Sequence, residues 1–373
     1  MRVLVTSTSG AGHYGPLAPF VRSLRRGGHD VLVAAPDSLR PSVRDAEFWP
    51  VADPPAEELA AAHGRLAGMS HDEANAWIVG EVFARLDATA ALPRIRDAIT
   101  SWRPDVVVRE TAEFAGAVAA DLHGVPHARV AIGLASLERM MVPVAAPQVD
   151  TLRAAHGLPG PHSLDDEPHL TLFPAGLEDP LSPGFAHTAR FRDPSWVVSR
   201  PGARPFVYVT FGSVAGGIPA LAEFYAAALA AVAGLDADVL LTVGRHADPA
   251  SFGPVPGHVR VERWVDQASV LERASAVVCH GGGGSTLGAL AASVPLVVVP
   301  LFAGDQHINA RRVAAAGAGL VASPPQIRAA LSTVLTDASY RVAAAGLAAE
   351  LAAHPSTDEA ADVLAAYWSG VDR

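Results

Sequence analysis

Lysine is missing from this sequence: all 28 of its basic residues are arginine. Lysine Schiff bases, pyridoxal-phosphate attachment, the phosphate lysine of protein kinases and the GxxxxGK[ST] phosphate loop are excluded with it. Cys279 is the only cysteine. Disulfide frameworks, thiolate zinc sites and iron–sulfur clusters need more than one. Charged residues are sparse at 18%, against about 25% in an average domain; the shortfall is made up by alanine. Their balance, 28 basic against 38 acidic, gives a net charge of −10, which argues against nucleic acid or an anionic membrane as the main partner. Long apolar runs are also lacking. MRVLVTSTSG at the N-terminus has three consecutive apolar residues, which reads as a first strand and not as a leader. Ala274 to Gly304 holds no Asp, Glu or Arg, but its four consecutive glycines, Pro295 and Pro300 are wrong for a membrane helix. With one thiol and no export signal, the cytoplasm is the expected location.

A chain of 373 residues suggests two domains, and the sequence opens twice in the same way. VLVT at 3–6 is followed by a Gly-rich loop, a helix from Pro16 to Arg26, and VLVAA at 31–35. FVYVT at 206–210 is followed by a loop with Gly212, Gly216 and Gly217, a helix from Pro219 to Ala233, and DVLLTVG at 238–244. Each proline is placed at a first helical turn. Further strands are expected at 105–108, 126–132, 259–264, 276–279 and 296–301, and closing helices at 325–336, 339–353 and 357–369. This predicts an α/β protein of two Rossmann-like domains facing each other across a cleft. The Pro- and Arg-rich segment 191–205 is the expected linker. The expected domains are 1–195 and 203–373, the last helix packing back on the first domain.

Three patterns are set aside. GAGHYG at 10–15 is a literal GxGxxG with Asp37 further on, but His13 stands where a backbone must approach a pyrophosphate. Asp236-Ala237-Asp238 is a literal DxD, but it precedes a strand and so lies at the edge away from ligands. His162, Asp165, Asp166 and His169 could gather a metal, but they fall in a Pro-rich loop without fixed ligand spacing.

The strongest signal runs from Arg260 to Gly319. It holds RVERWVDQ, CHGGGGSTLGALAASVPLVVVP and DQHINARRVAAAGAG. His280 ends a strand, and four glycines turn into a helix starting near Ser285. Unpaired N–H groups and the helix dipole there make an anion site. An imidazole beside it can donate to a phosphate, more strongly if protonated. Trp264 offers a stacking face for a base, and Asp305 and Gln306 offer groups suited to sugar hydroxyls. Three of the six carboxamides of the whole chain, Gln267, Gln306 and Asn309, lie in this segment.

The sequence W-x-x-Q, H-G-G-x-G-S/T, then P, D-Q-x-x-N-A closely resembles the donor signature of the GT-B glycosyltransferases, in the family of UDP-glucuronosyl- and plant UDP-glycosyltransferases. The flanks MRVLVTS…GH…PL and ERWVDQ…HGGGGSTLGAL look most like bacterial natural-product enzymes that decorate antibiotics of macrolide or enediyne type. The resemblance spans most of the chain and is weakest over 40–90 and 145–200. It implies that Trp264 stacks on the base and the Val265 backbone reads its edge. Gly12, Gln267, His280, Ser213, Gly282 and the N–H groups of Gly283, Gly284, Ser285 and Thr286 would complete the donor site around the diphosphate; Asp305 and Gln306 would hold the sugar. Plant members carry a glutamate eight residues after the motif histidine, on the ribose hydroxyls; Gly288 stands there, which favours dTDP over UDP.

Transfer by such a fold is expected to be inverting and to need neither metal nor cofactor. An attacking hydroxyl needs a base with a pKa near the working pH, which suits histidine. His13 matches the family's base, and Glu110 matches the acid that orients it, with Glu113 as the fallback and a structural ion pair to Arg109 as the alternative reading of Glu110. Met69, Trp77 and Phe83 are candidate walls of an acceptor pocket. The expected partners are a nucleotide sugar and a hydrophobic aglycone, with a homodimer left open. The competing readings are an NAD-dependent oxidoreductase and a non-catalytic nucleotide-sugar-binding auxiliary protein.

Overall fold

The computed structural model describes residues 1–160, 167–182, 184–213, 215–245 and 247–369. The chain divides into two compact units, one of Met1–Phe173, Glu178–Pro194 and Pro355–Arg373, the other of Pro174–Leu177 and Ser195–His354. The first unit contains seven parallel strands: β1 (Arg2–Thr6), β2 (Asp30–Pro36), β3 (Glu47–Val51), β4 (Val106–Glu110), β5 (His127–Val130), β6 (His169–Thr171) and β7 (Thr188–Arg190). Their order is β3-β2-β1-β4-β5-β6-β7. The second contains six: β8 (Phe206–Thr210), β9 (Asp238–Thr242), β10 (Val259–Glu262), β11 (Ala276–Cys279), β12 (Leu296–Val298) and β13 (Gly319–Val321), in the order β10-β9-β8-β11-β12-β13. Among the described residues, the strands of both sheets pair in parallel throughout.

Helices cover both faces of such sheets, so the central strands read as unbroken apolar runs. Val3, Leu4 and Val5 of β1 and Val106, Val107 and Val108 of β4 are all buried. The helix Ala88–Trp102 buries Ala88, Ala91, Leu92, Ile95, Ala98 and Ile99, the i, i+3, i+4 stripe of a core-facing helix. In the second unit Val207, Val209, Val239, Leu241, Val278 and Val297 form the equivalent core with Tyr225 and Ile327. No described helix is long and apolar enough to cross a membrane.

The strand order reverses once in each unit, between β1 and β4 and between β8 and β11. In open parallel sheets, ligands bind beyond the carboxyl ends of the strands at that switch point. Thr6 pairs with Arg109 there in the first unit, and Thr210 with Cys279 in the second.

Two expectations need correcting. The first helix starts at Ala11, not Pro16. Gly10 takes φ +106°, and the N–H groups of His13 and Tyr14 both reach its carbonyl, 3.2 Å each. The first turn therefore closes on Gly10, and Pro16 sits inside the helix. Gly12 and Gly15 are helical residues, so GAGHYG is not a dinucleotide loop. Asp37 accordingly belongs to a short 3₁₀ turn, where it pairs with Arg40 at 2.8 Å. His169 lies on β6 and not in a loop; it is buried with its imidazole 3.1 Å from Glu138. His162, Asp165 and Asp166 lie outside the described residues.

Candidate functional site

At the first switch point, His13 and Glu110 meet. Glu110 ends β4, where its side chain is fully buried, and His13 stands on the first turn of the helix that follows β1. His13 Nδ1 is 3.0 Å from Glu110 Oε1. The same oxygen accepts from the Thr8 hydroxyl at 2.8 Å, and Oε2 accepts from the Ala112 N–H at 2.6 Å. Burial pushes the Glu110 carboxyl up, but the His13 charge and these hydrogen bonds outweigh it and hold the pKa below the usual carboxylate value. An ionised carboxylate only accepts, so Nδ1 carries the proton. The Phe83 ring meets the imidazole edge-on, centroids 5.0 Å apart.

Glu113 points elsewhere. It accepts from the Thr6 hydroxyl and from the Gly116 N–H at 2.9 Å, and burial raises its pKa to about 7. Arg109 does not pair with the Glu110 carboxylate either. One of its guanidinium nitrogens donates to the carbonyls of Glu110, Thr111 and Glu113 at 3.2, 3.1 and 3.1 Å, which shapes the turn after β4. Its other end meets Glu167. Glu167 also accepts from Arg129 at 2.9 Å and lies 3.0 Å from His127 Nδ1. Arg129 continues to Glu138 at 3.2 Å, which accepts from the Thr111 hydroxyl at 2.6 Å. A buried ionic network thus braces the turn that carries Glu110.

Of the expected acceptor walls, Phe83 reaches His13, and Trp77 does not. The Trp77 indole donates to the Ala62 carbonyl at 3.0 Å and carries the Arg65 guanidinium 4.4 Å from its ring centroid. Met69 lies in the turn after the helix Ala56–Gly64, its N–H bound to the Leu66 carbonyl. A pocket of about 20 Å³ is lined by Thr8, Asp53, Asp87, Glu113 and Phe114 among others; that is room for one water or hydroxyl.

At the second switch point, His280 follows β11. Gly282 caps the helix Gly283–Ala291, which has no side-chain cap, so its first N–H groups are available to an anion. A Cβ on Gly282 would lie 2.6 Å from His280 Nε2, so only glycine fits against this imidazole. Burial lowers the His280 pKa to about 4, a backbone hydrogen bond with Thr210 opposing it only in part. The unliganded imidazole is therefore neutral near pH 7, and it would first meet a phosphate as a neutral hydrogen-bond donor. The Thr286 N–H is bonded to the Gly282 carbonyl at 3.0 Å, and its side chain is fully buried. Gly283, Gly284 and Ser285 form the first turn of this helix, which starts two residues before the expected Ser285, and Gly284 has no atom within 4 Å of where a Cβ would stand. Gly12, in the first unit, is equally open.

Ser213 lies in the turn after β8. Trp264 is half-exposed after β10, with the Arg245 guanidinium 4.3 Å from its ring centroid. Val265 follows it, and Asp266 caps the short helix Gln267–Leu271 by accepting from the Ser269 N–H at 3.2 Å. Asp305 stands in the first turn of the helix Gly304–Ala315. Gln306 is buried, and its Oε1 accepts from the Leu301 and Phe302 N–H groups at 2.8 and 3.1 Å. Its carbonyl end is thus a loop clamp, leaving the carboxamide NH₂ as the group that could meet a sugar. Asn309 does similar work, donating to the Gly281 carbonyl at 2.7 Å. Thr8, Asp87 and Asn309 in its clamping role were not singled out from sequence; only the scarcity of asparagine pointed at the last.

Two parallel α/β units, each gathering polar groups at its own switch point, define a GT-B glycosyltransferase, and similarity to known proteins agrees. Residues 22–154 and 226–367 match the N-terminal and C-terminal domains described as erythromycin biosynthesis protein CIII-like. The elloramycin glycosyltransferase ElmGT of Streptomyces olivaceus is 34% identical, covering 97% of this chain and 96% of its own. The TDP-daunosamine transferase DnrS of Streptomyces peucetius is 28% identical over 95% and 94%. The crystal structure of the glycosyltransferase SnogD from Streptomyces nogalater is 25% identical and superposes with a TM-score of 0.80, covering 98% and 99%. The chain belongs to this EryCIII-like family of bacterial natural-product glycosyltransferases. The oxidoreductase reading is not favoured.

Proposed function

We propose that the protein transfers a deoxysugar, with inversion, from a dTDP-sugar to a hydroxyl of a hydrophobic natural-product aglycone, without a metal. The observation that carries this reading is the His13–Glu110 pair, 3.0 Å apart at the switch point of the first unit. With Nδ1 protonated against Glu110, Nε2 is the basic nitrogen. It takes the proton of the acceptor hydroxyl as that oxygen attacks the anomeric carbon and the nucleoside diphosphate leaves. Glu110 stabilises the imidazolium so formed. In the second unit the N–H groups at Gly283–Ser285, the neutral His280 and Ser213 take up the charge of the leaving diphosphate. Trp264 stacks the base, and Asp305 and the Gln306 NH₂ hold the sugar.

Two observations support dTDP. A Cβ at position 288 would lie 3.3 Å from Gln267 Oε1, so the Gln267 amide fills the space beside the missing glutamate and no carboxylate is offered to a ribose 2′-hydroxyl. A relative with 28% identity is named a TDP-daunosamine transferase. The test is thermal shift with TDP, UDP and NAD, followed by turnover of a dTDP-sugar before and after EDTA. TDP should stabilise most and EDTA should leave the rate unchanged. Stabilisation by NAD alone, or a strict metal requirement, would overturn the reading.

Gly282→Ala addresses the diphosphate site. The new methyl would sit 2.6 Å from His280 Nε2 and must displace the imidazole. TDP should bind about tenfold or more weakly by calorimetry, a loss of roughly 1.4 kcal/mol. An unchanged Kd would remove His280 and its glycines from the donor site.

A further inference from the structure

The side of the first unit that meets His13 includes a ten-residue π-helix, Ile78–Asp87, running directly into the helix Ala88–Trp102. Helical stretches with i→i+5 bonds are rare and concentrate at functional sites. Phe83 of this stretch touches the His13 ring. Asp87 follows four residues later and lines the small pocket with Thr8, Asp53 and Glu113. Thr8 is the residue whose hydroxyl donates to Glu110, so Asp87 opens onto the same cluster that orients the base.

The charges around Asp87 come from four elements: His13 on the first helix, Glu110 at the end of β4, Asp53 after β3, and Glu113 in the turn before the helix Ala115–His123. Of these, His13 alone can carry the opposite sign. Arg85, two residues earlier, is committed to Glu81 at 2.5 Å and Glu58 at 3.6 Å. Glu138, on the helix packed against the π-helix, is turned to Arg129 and Thr111. Burial raises the Asp87 pKa to about 7, with the His13 charge pulling against it. Glu110 stays ionised through the working range and is a constant; Asp87 changes charge within it.

We infer that Asp87 is a positioning residue for the base, a second carboxyl on the π-helix that touches His13, whose negative charge makes the imidazole a stronger proton acceptor. The inference rests on the reading of His13 as the base. No group is transferred to Asp87; its charge stabilises the imidazolium formed when His13 takes the acceptor proton.

The test is the pH profile of kcat/KM for the full-length protein and Asp87→Asn, with a dTDP-sugar and an acceptor that the protein glycosylates. Removing the carboxylate lowers the His13 pKa, so the rising limb should move to lower pH by about one unit, the low end of what a neighbouring charge does. The weaker base should lower the plateau by roughly threefold, with KM for the nucleotide sugar unchanged. An NMR titration of the histidines, with the His13 resonance identified by its loss in His13→Asn, should give the same shift without any turnover. Asp87→Ser repeats the measurement if asparagine disturbs the π-helix. A limb and a His13 titration that superpose on the wild type would overturn the inference. If His13→Ala keeps its turnover, the base itself is misassigned; if it is inactive while the Asp87 variants titrate like wild type, the present inference alone fails.

Discussion

Replacing His13 by alanine should reduce transfer by about 10²–10⁴-fold, the usual contribution of a positioned base, while TDP binds as before. The separation of the two effects follows from where the groups stand. His13 belongs to the first unit, on the first turn of the helix after β1, whereas His280 and the Gly282–Ser285 turn belong to the second. Glu110→Gln should be nearly as damaging, because an amide does not stabilise the imidazolium and offers an N–H as readily as an acceptor. The two losses should not add: once the base is gone, its orienting group has nothing left to orient. Rates measured for both single variants and the double variant, with TDP affinity by calorimetry, check this. Turnover of His13→Ala near the wild-type level would remove the base from the mechanism.

Glu167→Ala should destabilise the first unit by about 3–5 kcal/mol, the cost of leaving buried charge unpaired. Glu167 is the carboxylate shared by Arg109, Arg129 and His127. Those contacts outweigh the effect of burial and hold its pKa well below the ordinary value. Without it, the buried Arg109 guanidinium loses its carboxylate partner, while Arg129 keeps Glu138. For a unit of this size the loss corresponds to roughly 10 °C in its calorimetric transition. The pH dependence of the wild type follows from the signs. Glu167 has a depressed folded pKa, so its contribution is present above about 4.5 and is lost as the pH falls towards the folded value. His127 is raised to about 9, because its hydrogen bonds to the Asp121 and Glu167 carboxylates overcome its burial. Its contribution is complete below about 6.5 and is lost as the pH rises through 9. The wild type should therefore be most stable between these limits, and the variant should lose much of that dependence. A variant with the same transition and the same pH profile would show that the network is neutral.

Much of this was legible in the sequence because it depends on local pattern. Unbroken Val and Leu runs located β1, β4, β8 and β11, and strand ends fixed Glu110 and His280 beside them. What escaped the sequence depends on pairing across the fold. Pro16 resembled a helix start, and nothing local says that Gly10 adopts φ +106° and begins the turn six residues earlier. Its place at the strand end ranks Glu110 above Glu113, but the division of tasks between them, through Thr8 for one and Thr6 and Gly116 for the other, appears only once β1 and β4 are paired. Arg109 and Glu167 are 58 residues apart in the chain, so their bond leaves no periodic trace. The π-helix at 78–87 carries an ordinary amphipathic sequence, and nothing local in it marks the change of hydrogen bonding.

The neutral imidazole at His280 has a further consequence for turnover. A cradle of peptide dipoles attracts a diphosphate over short distances only, and nothing within His280 itself changes charge across the working range. In the proposed reaction the departing nucleotide has no ion pair to break with this histidine. On that reading, release of the product carries no proton requirement at this histidine.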